Sequence, residues 1–443
     1  MIIRVRKVLM FFVAVTLLFV TACSGKSTDN NTTQPSTQSE KETVKTPAID
    51  KPTKLVVYHQ WGMTTEGFMN MYGKYVTKKY PNITFEVLGT SAGSLDQLVA
   101  THTNIDFVFH TELNLDKMIS LGISTDLSDL IKTYKYDVEK WDPSVTKYMK
   151  EFNNGKIPAM PLSLQTLAFY YNKDLFSKFG VPFPKDNMTW DDVREMSLKL
   201  TRNDAGTMYW GYDTQNVGTK MLVNPLSMPI VDSKTDRPVF ENDKWKNYIT
   251  QMIAPARIAG ITPAEGSKLD LFIKGQRLAM TSTMNTNFTM FAQSPGLNWD
   301  VASYPTLKEA PGVGPQPEIV MLYIPSTSKN REAAFLATAE LSSPEVQREL
   351  SMDGQQSVLR DSGIRDVFGS RLSELKGKNA KALVPAKLAE KMPYGKYINI
   401  GSGALTTAYN DVADGKKDIN TALRDAAEQT NKKIEEQKNM TGK

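Results

Sequence analysis

The sequence predicts an α/β fold in which helices cover both faces of doubly wound sheets. The first part of the folded region shows the order strand, helix, strand, helix, strand, which indicates a parallel sheet. A chain of 443 residues can bury a large core and form about two domains. In sheets of this kind, ligands collect outside the carboxyl ends of the strands.

Apolar patterns locate these first five elements. Residues 55–58 form an apolar strand, and the helix that follows repeats apolar residues at helical spacing over 68–76. Residues 83–88 form the second strand, 95–99 mark the second helix, and 105–109 form the third strand. The first and third strands end next to residues 59–62 and 110–112, which include two histidines, a tryptophan and a glutamate.

The stretch 167–201 has the most specific pattern in the chain. Its first five residues are apolar and aromatic, as in a strand that is buried on both faces. A short helix follows and ends at Gly180, with Pro182 just beyond it. Thr189 caps the next helix, and Asp192 lies three residues on. Asp191 and Asp192 are interpreted as helix-capping residues rather than as acid/base carboxylates, because both favour a positive helix N-terminus.

This stretch resembles the signature of the family 1 extracellular solute-binding proteins, the substrate receptors of carbohydrate ABC importers. The matching residues are Tyr171-Asn172-Lys173-Asp174-Leu175-Phe176, Gly180-Val181, Pro182, Pro184 and Thr189-Trp190-Asp191. Residues 126–130, 271–280 and 299–305 resemble further segments of the family, so the likeness covers most of the chain from 54 to about 418. The resemblance, closest to maltodextrin-binding members, implies a two-lobed fold of the periplasmic-binding-protein type (class II). Each lobe would hold a mainly parallel sheet flanked by helices, with a hinge between the lobes.

The resemblance also implies the domain organisation and the function. We expect an N-terminal lobe at 53–163 plus 303–350 and a C-terminal lobe at 164–302 plus 351–443. The protein would capture a carbohydrate, and specifically an oligosaccharide, by hinge closure and deliver it to the permease subunits of an importer. It would act as a monomer, without a cofactor, and would not be an enzyme.

The N-terminus predicts export and lipid anchoring. Arg4, Arg6 and Lys7 precede an apolar run, 8–20, that is too short to span a bilayer as a helix. The segment 20–23 resembles the lipobox of bacterial lipoproteins, which implies a signal peptide at 1–22 and acylation, including palmitate, at Cys23. The alternative is a plain secretory signal with an incidental cysteine. Residues 24–52 are polar and are expected to form a flexible linker to the outer face of the cell membrane.

A carbohydrate site requires aromatic platforms and planar polar side chains. The candidates are His59, Trp61, His110, Glu112, Gln165, Trp210, Asn285, Glu318 and Tyr394. Trp61 and Trp210 could instead be core aromatics, and Glu112 and Glu318 could be solvated surface charges. Gln165 is a stronger candidate because it lies just before the strand that crosses between the lobes in the family.

Composition and motifs exclude other classes of function. A net charge of +5 is small for this length and gives no reason to expect a nucleic-acid partner. The single cysteine excludes an internal disulfide and a cysteine-based metal site, and no metal motif is present. Gly89-Thr90-Ser91-Ala92-Gly93 fits G-x-S-x-G, so a lipid-anchored serine hydrolase that uses Ser91 is the alternative. It is disfavoured because no histidine follows His110.

Overall fold

A computed structural model describes residues 49–152, 155–258, 266–393 and 395–440. The strands of these ranges are β1 Thr53–His59, β2 Ile83–Leu88, β3 Phe107–Thr111, β4 Met160–Gln165, β5 Leu167–Asn172, β6 Arg202–Asp204, β7 Thr207–Tyr212, β8 Leu278–Met284, β9 Trp299–Ala302, β10 Glu318–Tyr323 and β11 Gln356–Ser357. The helices are α1 Thr65–Phe68, α2 Lys74–Lys79, α3 Leu95–Ala100, α4 Leu115–Ser120, α5 Ser128–Thr133, α6 Pro143–Phe152, α7 Lys173–Phe179, α8 Trp190–Leu200, α9 Val217–Leu222, α10 Asp243–Ile253, α11 Lys268–Ile273, α12 Phe288–Ala292, α13 Arg331–Leu341, α14 Pro344–Met352, α15 Ser362–Arg365, α16 Ile398–Ala413 and α17 Ile419–Met440.

Short turns follow three of the strands that matter for the site. The 3₁₀ turns Thr90–Ala92, Glu112–Asn114 and Asn285–Asn287 come directly after β2, β3 and β8. A π-helical turn, Met69–Gly73, joins α1 and α2 into one helical segment. The polar residues at the strand ends are therefore held on tight turns rather than on long loops.

The first sheet has the strand order β11-β4-β10-β3-β1-β2. β1 pairs in parallel with β2 and β3, as the sequence predicts. β10 lies antiparallel between β3 and β4, and β11 pairs antiparallel with β4. We call this sheet and the helices packed on its core the first lobe; Phe68, Phe107 and Phe109 are among its fully buried side chains.

The second sheet has the strand order β6-β7-β8-β5-β9. Only β7 and β8 pair in parallel among its described strands, whereas β5 pairs antiparallel with both β8 and β9. We call this sheet and its packed helices the second lobe. It has two core clusters, one around Trp190 and Trp245 and one around Tyr170 and Trp299.

Two sheet-based α/β lobes confirm the predicted fold class, but the expectation of mainly parallel sheets is corrected. The chain passes from the first sheet to the second at Thr166, between β4 and β5, and returns between β9 and β10. The strand by which the chain enters each sheet from the other lobe, β5 in the second sheet and β10 in the first, runs opposite to its neighbours. The antiparallel pairs are concentrated at these crossings.

The predicted lobe boundaries stay a prediction. β11 pairs with β4 in the first sheet, and Val358, Leu359 and Ile364 pack in the first core, although all of them fall in the range 351–443. This short return into the first sheet has no distinct sequence pattern, because a two-residue strand is too short to show periodicity.

Helix ends in the second lobe follow their sequence signals. Thr189 accepts a hydrogen bond from the backbone of Asp192, whose carboxylate accepts one in return from the backbone of Thr189 at 2.7 Å. Gly180 ends α7 with a φ of 65°, a left-handed conformation that favours glycine. In the described ranges, no helix combines the length and the apolar character needed to cross a membrane.

Candidate ligand-binding site

Strand ends of the first sheet bring most of the candidate residues to one edge. β1 ends at His59, and β3 carries His110 just before its end. β10 runs antiparallel to β3 and β4, so its first residue, Glu318, is paired with Gln165 at the end of β4. Glu112 begins the turn after β3. Together with Trp61, two residues beyond the end of β1, six of the nine candidates thus lie along a single sheet edge, at the level where the chain crosses to the second lobe.

Three aromatic rings form a cluster at this edge. The ring centroid of Trp61 lies 5.5 Å from that of His59 and 6.3 Å from that of His110. Trp61 is 52 % exposed, whereas His59 is 5 % exposed. The core alternative for Trp61 is therefore wrong: its indole is half exposed and lies beside two imidazole rings.

Both histidines of the cluster are neutral near neutral pH. Burial lowers the pKa of His59 to about 4, and burial with the nearby charge of Lys117 lowers the pKa of His110 to about 4. The backbone N–H of Thr111 donates to Nδ1 of His110 at 2.8 Å, so a neutral His110 carries its proton on Nε2. Nδ1 of His59 is buried without a hydrogen-bond partner in the described part of the chain. The cluster therefore combines an exposed apolar face with unused hydrogen-bonding capacity.

A group of charged side chains lies beside the aromatic cluster. Glu112 is fully buried, and its carboxylate accepts from the backbone N–H of Ile319 at 2.6 Å and from Nζ of Lys391 at 2.6 Å. Burial, and then the negative charge of Glu112, raise the pKa of Glu318 to about 7. The surface-charge alternative for Glu112 is wrong. A ligand role for either glutamate stays a prediction.

The second lobe contributes fewer of the candidates. Asn285, at the start of the turn after β8, is 2 % exposed. Its side chain accepts from the backbone N–H of Thr166 at 3.1 Å and donates to the carbonyl of Leu383 at 2.9 Å. Trp210 is half-buried in the middle of β7, away from the strand end, with the guanidinium of Arg277 5.7 Å from its ring. Tyr394 lies outside the described residues.

A cavity of about 380 Å³ lies where the two lobes meet. Its first wall is α6, through Ser144, Lys147 and Tyr148, and its second is the segment 390–393. Nζ of Lys147 lies 3.2 Å from the carboxylate of Glu390 across this cavity. Sequence analysis missed both walls, because isolated lysines and glutamates on a helix carry no signal that distinguishes them from a solvated face.

The serine-hydrolase alternative finds no support. Ser91 lies in the exposed 3₁₀ turn after β2, and no hydrogen bond joins it to a histidine in the described residues. The small residues of the motif serve a close approach: a Cβ on Gly89 would lie 3.3 Å from the backbone of Gly62. In the described ranges there is also no cluster of three or more side chains suited to hold a metal ion.

Comparison with known proteins identifies the class. The family model of the bacterial extracellular solute-binding proteins matches residues 62–348, more than half of the chain. The chain belongs to this family, which consists of binding proteins and not of enzymes, and this places it outside the cytoplasm.

Individual relatives are more distant. An uncharacterized ABC transporter extracellular-binding protein of Pyrococcus horikoshii is 29 % identical over 161 residues, which cover 34 % of this chain and 35 % of that protein. The alignment therefore spans about a third of the relative's length.

Solved structures match over nearly their whole length. An ABC substrate-binding protein of Listeria monocytogenes in complex with cycloalternan has a TM-score of 0.70 at 20 % identity, covering 87 % of this chain and 99 % of that one. A sugar transporter of Rhizobium etli in an open conformation has a TM-score of 0.68 at 18 % identity, covering 86 % and 99 %. Likeness at these identities shows the two-lobed fold.

Proposed function

We propose that the protein is the substrate-binding component of a carbohydrate ABC importer and that it captures an oligosaccharide between its lobes. The observation that carries this proposal is Trp61, an exposed indole at the strand-end edge of the first sheet. It lies next to a buried ring nitrogen of His59 that has no hydrogen-bond partner among the residues described. Sugars present flat C–H faces and many hydroxyl groups, and an aromatic platform with adjacent polar groups matches both.

Capture requires no bond to be made or broken. A ligand that contacts both lobes stabilises the arrangement in which they are close, so binding and lobe closure are linked. The proposed contacts on the first lobe are Trp61, His59, His110 and Gln165, with Glu112 and Glu318 beside them. On the second lobe they are Trp210 and Asn285, and Tyr394, which lies outside the described residues, is a further proposed contact. The names of the solved relatives, a cycloalternan complex and a sugar transporter, support a carbohydrate as the ligand.

We also propose that the protein is held on the outer face of the cell membrane by a lipid on Cys23. The support is the lipobox-like segment 20–23 after a basic and apolar leader. This segment lies outside the described residues. The folded part would then present its ligand to the permease subunits as a tethered monomer.

A thermal-shift screen with mono- and oligosaccharides tests the function. A ligand at a hundred times its dissociation constant adds about 2.7 kcal/mol to the free energy of unfolding, which raises the melting temperature measurably. We expect at least one carbohydrate to do so. A panel that covers common hexoses, pentoses and their oligomers without any shift would contradict the proposal.

A further inference from the structure

The turn that follows β3 reaches from the first lobe into the second. Leu113 is 7 % exposed and packs in a core cluster of the second lobe. Its carbonyl accepts a hydrogen bond from the side chain of Asn399 in α16 at 2.9 Å. Glu112, one residue earlier, is paired with Lys391, whose neighbour Met392 packs in the same second-lobe core. The two lobes are therefore connected at this turn by apolar, hydrogen-bonding and ionic contacts.

The ionic contact is the most deeply buried of the three. The side chain of Lys391 is 6 % exposed and that of Glu112 is 0 % exposed, with 2.6 Å between Nζ and the carboxylate. Nζ also donates to the carbonyl of Pro317 at 2.9 Å and lies 5.5 Å from the ring centroid of Tyr148. Separating the pair without rehydration would leave an unpaired buried charge, which is strongly unfavourable. The pair is therefore expected to be either formed or fully separated and hydrated, because intermediate states leave a buried charge without a partner.

The second carboxylate of the cluster does not compete for Lys391. Glu318 is close enough to Glu112 and Lys391 for both charges to act on it, and Thr111 is its hydrogen-bonding neighbour. Burial, and then the nearby charge of Glu112, raise the pKa of Glu318, so both disfavour its charged form. Among the described residues, the carboxylate that pairs with Lys391 is that of Glu112, with 2.6 Å between Nζ and the nearer oxygen.

We propose that the Glu112–Lys391 ion pair is a lock between the lobes, which holds them in the arrangement described above and opens when they move apart. The inference rests on the proposed function in one respect, that the lobes move. Lys391 would then be a positioning residue, because it acts on ligand capture by setting how often the lobes adopt this arrangement.

The chain offers a matched control for this lock. Lys147 and Glu390 also form an ion pair between the lobes, at 3.2 Å, but their side chains are 55 % and 80 % exposed. Exposed pairs of this kind contribute little to stability. Both lysines border the same cavity, so a substitution at Lys147 reproduces the change in local charge without removing a buried contact.

The test measures the distance between the lobes by pulsed electron paramagnetic resonance, without ligand. Spin labels are placed at Ser120→Cys on α4 and Glu195→Cys on α8, both exposed, in the full chain carrying Cys23→Ser. We expect Lys391→Met to shift or broaden the distance distribution, and Lys147→Met and Lys391→Arg to leave it as in the parent protein. The double variant Glu112→Gln/Lys391→Met, which removes the charges of both members of the pair, should shift it as well.

Two results would overturn the proposal. The first is a distance distribution that stays unchanged in both Lys391→Met and the double variant. The second is a double variant that fails to fold, which would make the pair a part of the folding core rather than a lock. Because no ligand is added, either result is independent of whether the protein binds a carbohydrate.

Discussion

At the scale of single residues, exposure distinguishes the candidate ligand residue Trp61 from the tryptophans that pack in the cores. Trp61 is 52 % exposed, whereas Trp141, Trp190 and Trp245 are each 1 % exposed. The sequence suggests the difference, because the three buried tryptophans begin or flank helices and Trp61 follows a strand. The sequence alone does not determine the exposure of Trp61, because a tryptophan after a strand packs inward or outward depending on the neighbouring strand ends.

We expect Trp61→Ala to weaken carbohydrate binding without destabilising the ligand-free protein. Loss of an aromatic platform removes about 1–3 kcal/mol of binding free energy, which lowers the affinity by a factor of about 5 to 140. Because about half of the Trp61 side chain is already exposed to solvent, the melting temperature of the ligand-free variant should stay close to that of the parent. Calorimetric titration and melting curves measure the two effects.

The control for Trp61→Ala is Leu198→Ala. Leu198 is 43 % exposed on α8 of the second lobe, so its removal also takes away an exposed apolar side chain. It should change neither affinity nor melting temperature. A Trp61→Ala protein that melts much earlier but binds normally would make Trp61 a structural residue.

Stability should also depend on the protonation of His59. Its pKa is about 4 in the folded protein and 6.5 ordinarily, so between these pH values the unfolded chain binds more protons than the folded one. The contribution of His59 to the free energy of unfolding is fully present above pH 6.5. It falls by up to about 3 kcal/mol as the pH is lowered towards 4. Urea denaturation at pH 7 and pH 4.5 should therefore show a smaller loss for His59→Gln than for the parent. Equal losses in both proteins would argue against a buried neutral imidazole.

At the scale of elements, the turn after β8 holds the first crossing of the chain, between β4 and β5. Asn285 begins this turn, and its amide holds the backbone of Thr166, the residue between β4 and β5. The hydroxyl of Tyr170 in β5 donates to the carbonyl of Asn285 at 2.9 Å. These contacts fix the angle at which the chain enters the second lobe.

Asn285→Ala should therefore destabilise the ligand-free protein. The substitution leaves the buried N–H of Thr166 and the carbonyl of Leu383 without this partner, which costs about 1–3 kcal/mol. Asn287→Ala is the matched control, because the side chain of Asn287 is half-buried on the same turn and donates to the hydroxyl of Thr283 at 2.9 Å. Urea denaturation of both variants measures the difference, and equal stability would show that the Asn285 amide does not hold the crossing.

Patterns of period two and 3.6 predict the elements better than they predict how the strands pair. The order of the first five elements, the strand at β5 and the capped α8 all follow from local sequence. The antiparallel insertion of β10 and the two-residue β11 do not, because they depend on where the chain returns from the other lobe. For the site, strand-end residues such as His59 and Glu318 could be found from sequence. Lys391 could not, because its partner Glu112 is 279 residues away.

At the scale of the whole molecule, anchoring is a prediction that depends on one residue. If Cys23 carries the lipid, Cys23→Ser should release the protein from membranes into the soluble fraction. The lipid contributes about 0.8 kcal/mol for each buried CH₂ group, so its loss should be decisive for membrane retention. Membrane fractionation followed by immunoblotting checks this, and unchanged retention would rule out the lipid anchor at Cys23.

Ligand capture between two lobes is the central claim, and small-angle X-ray scattering tests it most directly. The full chain carrying Cys23→Ser would be measured alone and with a saturating amount of the carbohydrate found by screening. If the ligand bridges the strand-end edge of the first sheet and the second lobe, the radius of gyration should fall on binding, and Trp61→Ala should need more ligand for the same change. Saturated binding with an unchanged radius of gyration in the parent protein would contradict capture by lobe closure.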